Sequence, residues 1–248
     1  VYERCSKMKI DERHPYAGKL VFTAFSGSHQ DAINKGMRAM EERQNPYWEV
    51  PYLPIDPTDV GREYEPIVRI NSQSGKGGVA YVMESYFGFK MPKGMHREFA
   101  DVIQAIAEKQ GEVSPEEIYQ KFKAEYLELT DPFELVHYEV ADVGQDTRAK
   151  VTFKYVGQTF EAESVGNGPI DAVKAAILSQ VNLSAKVLDY DEHALTQGSK
   201  SKAAAYIHMV DLDTGRTTYG VGVSSNITRA SIRGIFSALN RLFGKRKV

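Results

Sequence analysis

The last half of the chain carries the same pattern twice, and this repetition limits its fold more than any other feature. A run of strand-like alternation ends at Gly166-Asn167-Gly168-Pro169 and leads into an apolar-periodic segment, and a second such run ends at Ser224-Ser225-Asn226 before another. Repeated units of this kind bury their apolar faces on each other. Two helix N-termini in one module offer backbone N–H groups and positive dipole ends, so the pattern favours a sensor of a small anionic ligand over a catalyst.

Each repeat predicts strands followed by one helix. In the first, alternating residues run up to a turn at Gly157, and a helix is predicted from Ile170 to Val181. In the second, a turn at Asp213-Thr214-Gly215 separates two alternating runs, and the closing helix is predicted from Ile227 to Phe243. Because neither repeat can bury both of its faces alone, we expect the two to pack together as an α+β layer structure.

Composition excludes several classes of protein. A chain of 248 residues with 42% hydrophobic and 26% charged residues is typical of one large or two modest globular domains and predicts no membrane span. The net charge is -2 and the obvious basic cluster is the terminal Lys245-Arg246-Lys247, so the electrostatic footprint of a nucleic-acid-binding protein is missing. The single cysteine, Cys5, excludes an internal disulfide framework, so the cytoplasm is the predicted compartment.

The beginning of the chain resembles the interior of a longer protein. It has no initiator Met and no signal-peptide pattern, and residues 1–9 read like the end of a helix that runs into the polar turn 11–15. We therefore expect the chain to be the C-terminal part of something longer.

A helix is predicted from His29 to Arg43, where Ser28 and Asp31 resemble a capping pair. Prolines then recur through residues 51–57, which predicts an extended, stiff loop without regular structure. In the first turn of the helix, the dipole would favour a neutral imidazole at His29 that can accept a proton. The pattern alone nevertheless favours a surface histidine on a capped helix.

Residues 92–129 predict two helices, the second beginning with a capping box at Ser114-Pro115-Glu116-Glu117. Without a basic recognition face, a DNA-binding helix-turn-helix is not favoured. Ser74-Gly75-Lys76-Gly77-Gly78 lacks the Ser or Thr and the earlier Gly of a Walker motif, which favours a turn or helix start with close backbone approach over nucleotide binding. No histidine pair has metal-ligand spacing, so no local metal site is predicted.

Longer strings carry a family resemblance. Residues 12–16, 22–33, 50–57 and 71–81 resemble the post-barrel segments of 2-isopropylmalate synthases in their longer bacterial and fungal form, and the similarity continues to the end of the chain. Enzymes of this family condense acetyl-CoA with 2-oxoisovalerate in leucine biosynthesis, using a divalent metal in a TIM barrel, and leucine inhibits them through the C-terminal domain. The resemblance implies that the catalytic TIM barrel is absent from this chain. The metal and acetyl-CoA are expected in that barrel, and this segment alone should bind no cofactor and be inactive.

The resemblance also implies a domain order and an α+β fold. Small, mostly helical linker subdomains should precede a pseudo-symmetric, duplicated β-β-β-α regulatory domain. The expected boundaries are barrel exit 1–18, linker subdomains 19–88 and 89–130, and regulatory domain 131–248, with repeats at about 131–182 and 183–248.

By the same resemblance, His29 and Tyr52 reach into the active site of the other subunit of a dimer. There the histidine would assist proton removal or thioester hydrolysis, and the tyrosine would orient substrate. The expected leucine site comprises Gly166, Gly168, Ile170, Asp171, Val187, Tyr190 and Ala194.

Physical chemistry supports the leucine site in part. Backbone N–H groups at the glycine turn can bind the carboxylate, Asp171 can bind the ammonium, and Ile170, Val187, Tyr190 and Ala194 can surround the tail. The alternative is that the glycines only serve a tight turn, and that Val187 and Tyr190 are core residues.

The expected partners are L-leucine, the catalytic barrel and a second copy in a homodimer, with no nucleic acid and no membrane. Two other functions are compatible with the sequence. The chain can be a free-standing amino-acid-binding module, or the equivalent part of a citramalate or homocitrate synthase, because acceptor choice is made in the barrel.

Overall fold

Two compact units make up this chain. The first comprises Val1–Val82 and Phe99–Ile118, and the second comprises Met83–Glu98 and Tyr119–Val248. The computed structural model describes residues 2–22, 27–44, 46–62, 70–71, 76–196, 198 and 201–244.

The second unit contains two βββα repeats. The strands of the first repeat form an antiparallel sheet in chain order, as do those of the second. The first repeat consists of β3 (Phe133–Val143), β4 (Asp146–Tyr155), β5 (Gln158–Gly166) and α6 (Pro169–Leu178). The second consists of β6 (Ala185–Ala194), β7 (Ala203–Asp211), β8 (Thr217–Ser224) and α7 (Ile227–Phe243). The predicted α+β fold with a duplicated β-β-β-α domain is confirmed, and α7 has the predicted bounds.

The pseudo-symmetry extends to an irregularity in the first strand of each repeat. The register of β3 on β4 shifts between Leu135 and His137, and that of β6 on β7 shifts between Val187 and Asp189. Each shift is a bulge that adds one residue to the strand and exchanges the backbone groups that face its two edges. Helix α6 is shorter than predicted: it ends at Leu178, not at Val181. Just after its end, the Ser179 hydroxyl donates a hydrogen bond to the Ala176 carbonyl.

One apolar core joins the repeats. Helix α7 lies so close to β8 that a Cβ atom on Gly222 would stand 1.9 Å from the Ala230 carbonyl oxygen, and one on Gly220 would stand 2.2 Å from the Ala238 nitrogen. Only glycine fits there, because helix and strand touch through their backbones. Around this contact the core buries Val151 and Phe153 of the first sheet, Ile207 and Met209 of the second, and Val173, Ile177, Ile235 and Leu239 of the helices.

A charged network surrounds the other end of β8. The Glu98 carboxylate accepts hydrogen bonds from the Tyr126 hydroxyl at 2.9 Å and the Thr218 hydroxyl at 3.2 Å, and it pairs with the Arg241 guanidinium. That guanidinium also lies 4.1 Å from the centre of the Tyr126 ring, a cation–π contact. Burial raises the pKa of Tyr126 well above its ordinary value, so its hydroxyl stays a donor.

Short elements build the first unit and the connection to the second. They are α1 (Tyr2–Ser6), α2 (Gly27–Arg43), β1 (Ile70–Asn71), α3 (Lys76–Phe87), α4 (Lys93–Gln110), β2 (Glu112–Val113) and α5 (Pro115–Phe122), with 3-10 turns at Lys19–Phe22 and Pro57–Val60 and a π-helix at Lys123–Leu127. Strands β1 and β2 pair with each other. None of the helices in the described part of the chain combines the length and hydrophobicity that crossing a bilayer requires.

Some of the local predictions for these elements are confirmed and others are wrong or untested. The capping box at α5 is confirmed, because the Ser114 amide donates to Glu117 at 2.8 Å and the Glu117 amide donates to the Ser114 hydroxyl. Helix α3 begins at Lys76, which confirms the predicted helix start. The space beside Gly77 is open, so the prediction that another part of the backbone lies close to this segment is wrong at Gly77. Residues 72–75 and the side chains of Ser28 and Asp31 lie outside the described part, so the phosphate-loop glycine Gly75 and the capping pair stay untested.

The α7–β8 contact predicts a strong dependence on one glycine. Gly222→Ala places a methyl group inside the backbone of α7 and should lower the free energy of unfolding by about 1–3 kcal/mol. Chemical denaturation followed by circular dichroism measures this. In the control Gly168→Ala the extended backbone (φ 179°) and open space leave room for the methyl group, so the loss should stay below about 1 kcal/mol. Equal losses in both variants would contradict this account of the contact.

Candidate functional site

Helix α2 places the first candidate residue. It begins at Gly27, so His29 lies in its first turn as predicted, with a half-buried side chain. One turn further, Ile33 is fully buried and anchors the helix in a small core with Phe22, Val50 and Leu53. His29 lies on the same face of α2 as Ile33, so the burial of Ile33 fixes the position of His29.

The loop after α2 is held on this helix by side chains and one close approach. The Trp48 indole donates to the Leu53 carbonyl at 2.8 Å and closes the loop on itself. A Cβ atom on Gly36 would stand 2.6 Å from the Pro51 ring, so the glycine lets the loop lie against the helix. The proline-rich segment thus has a defined course over α2.

The loop brings Tyr52 onto His29. Their rings stack with centroids 4.1 Å apart and an interplanar angle of 23°. The expected extended backbone is not found at Tyr52, whose φ of 65° is left-handed. A bulky residue in that region stores strain, which the anchored Val50 and Leu53 on either side hold in place. The Tyr52 side chain is 60% exposed, so the stacked pair faces outward and can meet a ligand or another chain.

The first half of the predicted leucine site is the turn between β5 and α6. Gly166 ends β5, and a Cβ atom there would stand 2.6 Å from the Ala172 nitrogen, so the turn requires glycine. Gly168 precedes the helix with extended backbone and open space, so steric crowding does not explain its lack of a side chain. Pro169 opens α6, and Ile170 is half-buried against the core. The turn presents the N-terminus of a helix next to open space.

Asp171 already has partners in this turn. Its carboxylate accepts a hydrogen bond from the Lys174 ammonium at 2.7 Å. That bond, with a smaller contribution from the Asn167 backbone N–H, lowers the pKa of Asp171, which is therefore ionised at neutral pH. An incoming ammonium group would compete with Lys174 for this carboxylate.

The second half of the predicted site lies along β6. Val187 is half-buried against the core, whereas the Tyr190 side chain is 50% exposed, so Tyr190 is not a core residue. Ala194 ends the strand opposite Ala203. The structure thus places the two halves on different repeats, and among the described residues no hydrogen bond or ring contact joins them.

Sequence reasoning missed a histidine beside this strand. The Lys90 amide and the Tyr206 hydroxyl both lie 3.1 Å from His193 Nε2, and His193 Nδ1 lies 3.1 Å from the Ala194 carbonyl. Burial raises the pKa of Tyr206 far above its ordinary range, so its hydroxyl stays protonated. His193 fastens the segment before α4 to β6. No local pattern could show this, because Lys90 and His193 are 103 positions apart.

A cleft of about 850 Å³ was also not predicted. It lies between β3, β8 and α7, with Phe133, Val221 and Phe236 among its apolar lining residues and Arg229 and Arg233 on α7. None of the predicted leucine-site residues lines it.

Among the described residues, no group of three or more His, Cys, Asp or Glu side chains could hold a metal ion. The divalent metal that the family resemblance implies is expected in the catalytic barrel.

Two family models match parts of this chain. The model of the alpha-isopropylmalate synthase post-catalytic domain-like family matches residues 19–84, which include the His29–Tyr52 pair. The model of the LeuA allosteric (dimerisation) domain matches residues 112–243, which include both repeats.

Individual relatives match over nearly the whole chain. The 2-isopropylmalate synthase of Clostridium acetobutylicum is 52% identical over 97% of this chain and 44% of its own length. Those of Brucella suis and Mycobacterium ulcerans are each 46% identical, over 99% and 96% of this chain and 45% and 44% of their own lengths. The chain therefore spans less than half the length of these relatives.

The pairing of Asp171 predicts a titration. Lys174→Met should raise the pKa of Asp171 toward its ordinary value of about 4, because the main cause of the shift is removed. Carbon-detected NMR of the carboxyl groups measures it. Because the pKa of Asp171 is lower in the folded than in the unfolded chain, its pair with Lys174 stabilises the fold at pH values above about 4. This stabilisation is lost as the pH falls through the pKa of the folded state. The control Lys121→Met removes the pair with Glu125 at 2.9 Å and should leave Asp171 unchanged. An unaltered Asp171 titration in Lys174→Met would refute the assignment.

Proposed function

Because the chain belongs to the family of LeuA allosteric (dimerisation) domains, we propose that it is the linker and regulatory portion of a 2-isopropylmalate synthase. The observation that carries this is the match of the LeuA model to both βββα repeats, together with identity to such synthases over nearly the whole chain. In this proposal the complete protein joins acetyl-CoA and 2-oxoisovalerate into 2-isopropylmalate in a barrel domain, in the cytoplasm. The segment alone is inactive. The matched relatives named above are 2-isopropylmalate synthases, which supports this acceptor over that of citramalate or homocitrate synthases.

L-leucine is the proposed effector, and the β5–α6 turn is its proposed anchor. Burial of a leucine side chain contributes roughly 1.5–3 kcal/mol, whereas micromolar binding requires about 8 kcal/mol. Polar contacts must supply the difference. The backbone N–H groups in the first turn of α6 can bind the carboxylate, and the helix dipole favours negative charge there.

The apolar tail of leucine would lie against Ile170 and Val187, which are half-buried, and against the exposed Tyr190 and Ala194. The exposure of Tyr190 supports the site, because binding would remove its ring from water. Leucine would inhibit by binding one conformation of the dimer more tightly than the other, which shifts the population toward it.

The His29–Tyr52 pair is proposed to serve the catalytic barrel of the other subunit. A half-buried imidazole in the first turn of a helix can take a proton from the acetyl methyl group or assist hydrolysis of the thioester. Stacking on Tyr52 holds the imidazole plane, and the tyrosine hydroxyl can orient substrate. The outward exposure of the pair supports a role in another chain's site.

The leucine site predicts one decisive substitution. Gly168→Asp places a carboxylate beside the proposed carboxylate site and should weaken leucine binding at least about 100-fold, since like charges would be held at close range. Isothermal titration of the 248-residue chain with L-leucine measures it. The control Gln158→Glu adds the same charge at an exposed position at the start of β5 and should bind leucine normally. Unchanged affinity in Gly168→Asp would remove this turn from the site.

The catalytic pair predicts a kinetic effect in the complete enzyme. His29→Asn should lower kcat by about 100-fold to 10,000-fold, the usual contribution of a general acid or base. Tyr52→Phe keeps the stacked ring and should lower activity less. The control His14→Asn alters an exposed histidine outside the proposed sites and should leave kcat unchanged. Steady-state kinetics of CoA release provide the readout, and a His29→Asn enzyme with normal kcat would exclude the role.

A further inference from the structure

The outer edges of the two sheets are closed to very different degrees. An edge strand presents unpaired N–H and C=O groups that can pair with another chain unless something covers them. Strand β8 is covered by side chains. The Tyr219 carbonyl accepts from Arg241 at 2.9 Å, the Val221 amide donates to the Ser237 hydroxyl at 3.1 Å, and the Val223 carbonyl accepts from Arg233 at 2.8 Å.

Strand β6 covers part of its own edge. Beyond its bulge, the outward amides of Tyr190 and Glu192 donate to the side chains of Asp189 and Asp191 at 2.9 and 2.8 Å. The aspartates thus occupy donors that a neighbouring strand would need.

The first residue of β3 is covered in the same manner. The Asn240 side chain accepts from the Phe133 amide at 2.6 Å and donates to the Phe133 carbonyl at 2.8 Å, so both groups point away from β4. Because backbone groups alternate along a strand and the bulge shifts the alternation by one, Tyr138, Val140 and Asp142 face the same free edge.

The rest of the β3 edge is open. Among the described residues, no hydrogen bond reaches the outward backbone groups of Tyr138, Val140 or Asp142. At the positions of the two blocking aspartates of β6, strand β3 carries His137 and Glu139, whose side chains contact each other at 3.5 Å instead. Val136 and Val143, near the ends of this stretch, are 52% and 41% exposed.

We propose that β3 is the surface through which two copies of this chain associate, by antiparallel pairing of β3 with β3. With Val140 opposite Val140 on a two-fold axis, Tyr138 faces Asp142 and Glu139 faces Ala141, so no like charges stand directly opposite. The pairing would join the first sheets of two chains into one continuous sheet. The match to a dimerisation domain, which includes all of β3, favours a second copy as the occupant.

The other open edge of this sheet is less suited to self-pairing. Strand β5 carries exposed Glu161 and Glu163. Registers that pair most of β5 with itself place one of these glutamates opposite another, which is destabilising. Strand β3 avoids this.

The test compares one proline on each edge. Val140→Pro removes an outward N–H from β3, and the matched control Glu161→Pro removes one from β5; both are edge positions where proline is tolerated. Sedimentation velocity of the 248-residue chain should show dimers for the parent and for Glu161→Pro. The dimer dissociation constant of Val140→Pro should rise at least about 100-fold while its circular dichroism spectrum is unchanged.

A cross-link keeps the proposal testable if Val140→Pro fails to fold. In a Cys5→Ser background, Val140→Cys should form a disulfide-linked dimer under mild oxidation, because residues directly opposite across antiparallel strands stand within disulfide range. Glu161→Cys should not.

Three outcomes would overturn the proposal: a dimeric Val140→Pro variant, a linked Glu161→Cys without a linked Val140→Cys, or a monomeric parent chain. The proposal shares with the proposed function only the homodimer. If the parent chain binds leucine and the Val140→Pro variant is still a dimer, the β3 surface is refuted but the proposed function is not.

Discussion

Helix α7 meets strand β8 through backbone atoms, and the second unit is organised around that contact. Gly220 and Gly222 remove the side chains that would hold helix and sheet apart. The close approach lets the Ser237 and Arg233 side chains of α7 reach the outer edge of β8, where they replace the hydrogen bonds of a missing strand. Asn240, one turn further, does the same for the first residue of β3. One helix therefore fills the core and also closes parts of two sheet edges, because its polar residues stand on the side that faces the strand ends.

The two repeats share a pattern but have different exposed edges, and the differences carry the proposed functions. The first strand of each repeat has a bulge at the same position, and this bulge turns the backbone N–H and C=O groups of Tyr138 and Tyr190 toward equivalent free edges. On β6 the aspartates occupy the amides. On β3 the equivalent residues leave them open. We therefore propose one edge of the duplicated fold for association and the neighbourhood of the other for a ligand, because single side chains decide whether a backbone donor is free.

The geometry of the candidate catalytic pair depends on packing that offsets backbone strain. The Tyr52 backbone is held in a left-handed conformation, and the buried side chains of Val50 and Leu53 with the bond from Trp48 offset that cost. Gly36 allows the loop to approach α2 closely enough for the rings of His29 and Tyr52 to stack. The arrangement uses stability from a small core to hold the half-buried ring of His29 against the exposed ring of Tyr52.

The sequence by itself determined the repeated strands and helices, the bounds of α7, the capping box of α5 and the family, because these depend on local periodicity and on long strings of identical residues. It also placed His29 at the start of a helix. Only the tertiary structure decided that Tyr52 stacks on His29, that Asp171 is paired with Lys174, that His193 holds Lys90, and that the halves of the predicted leucine site lie on separate repeats. The same holds for the free edge of β3, since a one-residue bulge decides which groups face outward. These features join residues far apart in the chain or depend on backbone direction, and no local pattern of residue types records either.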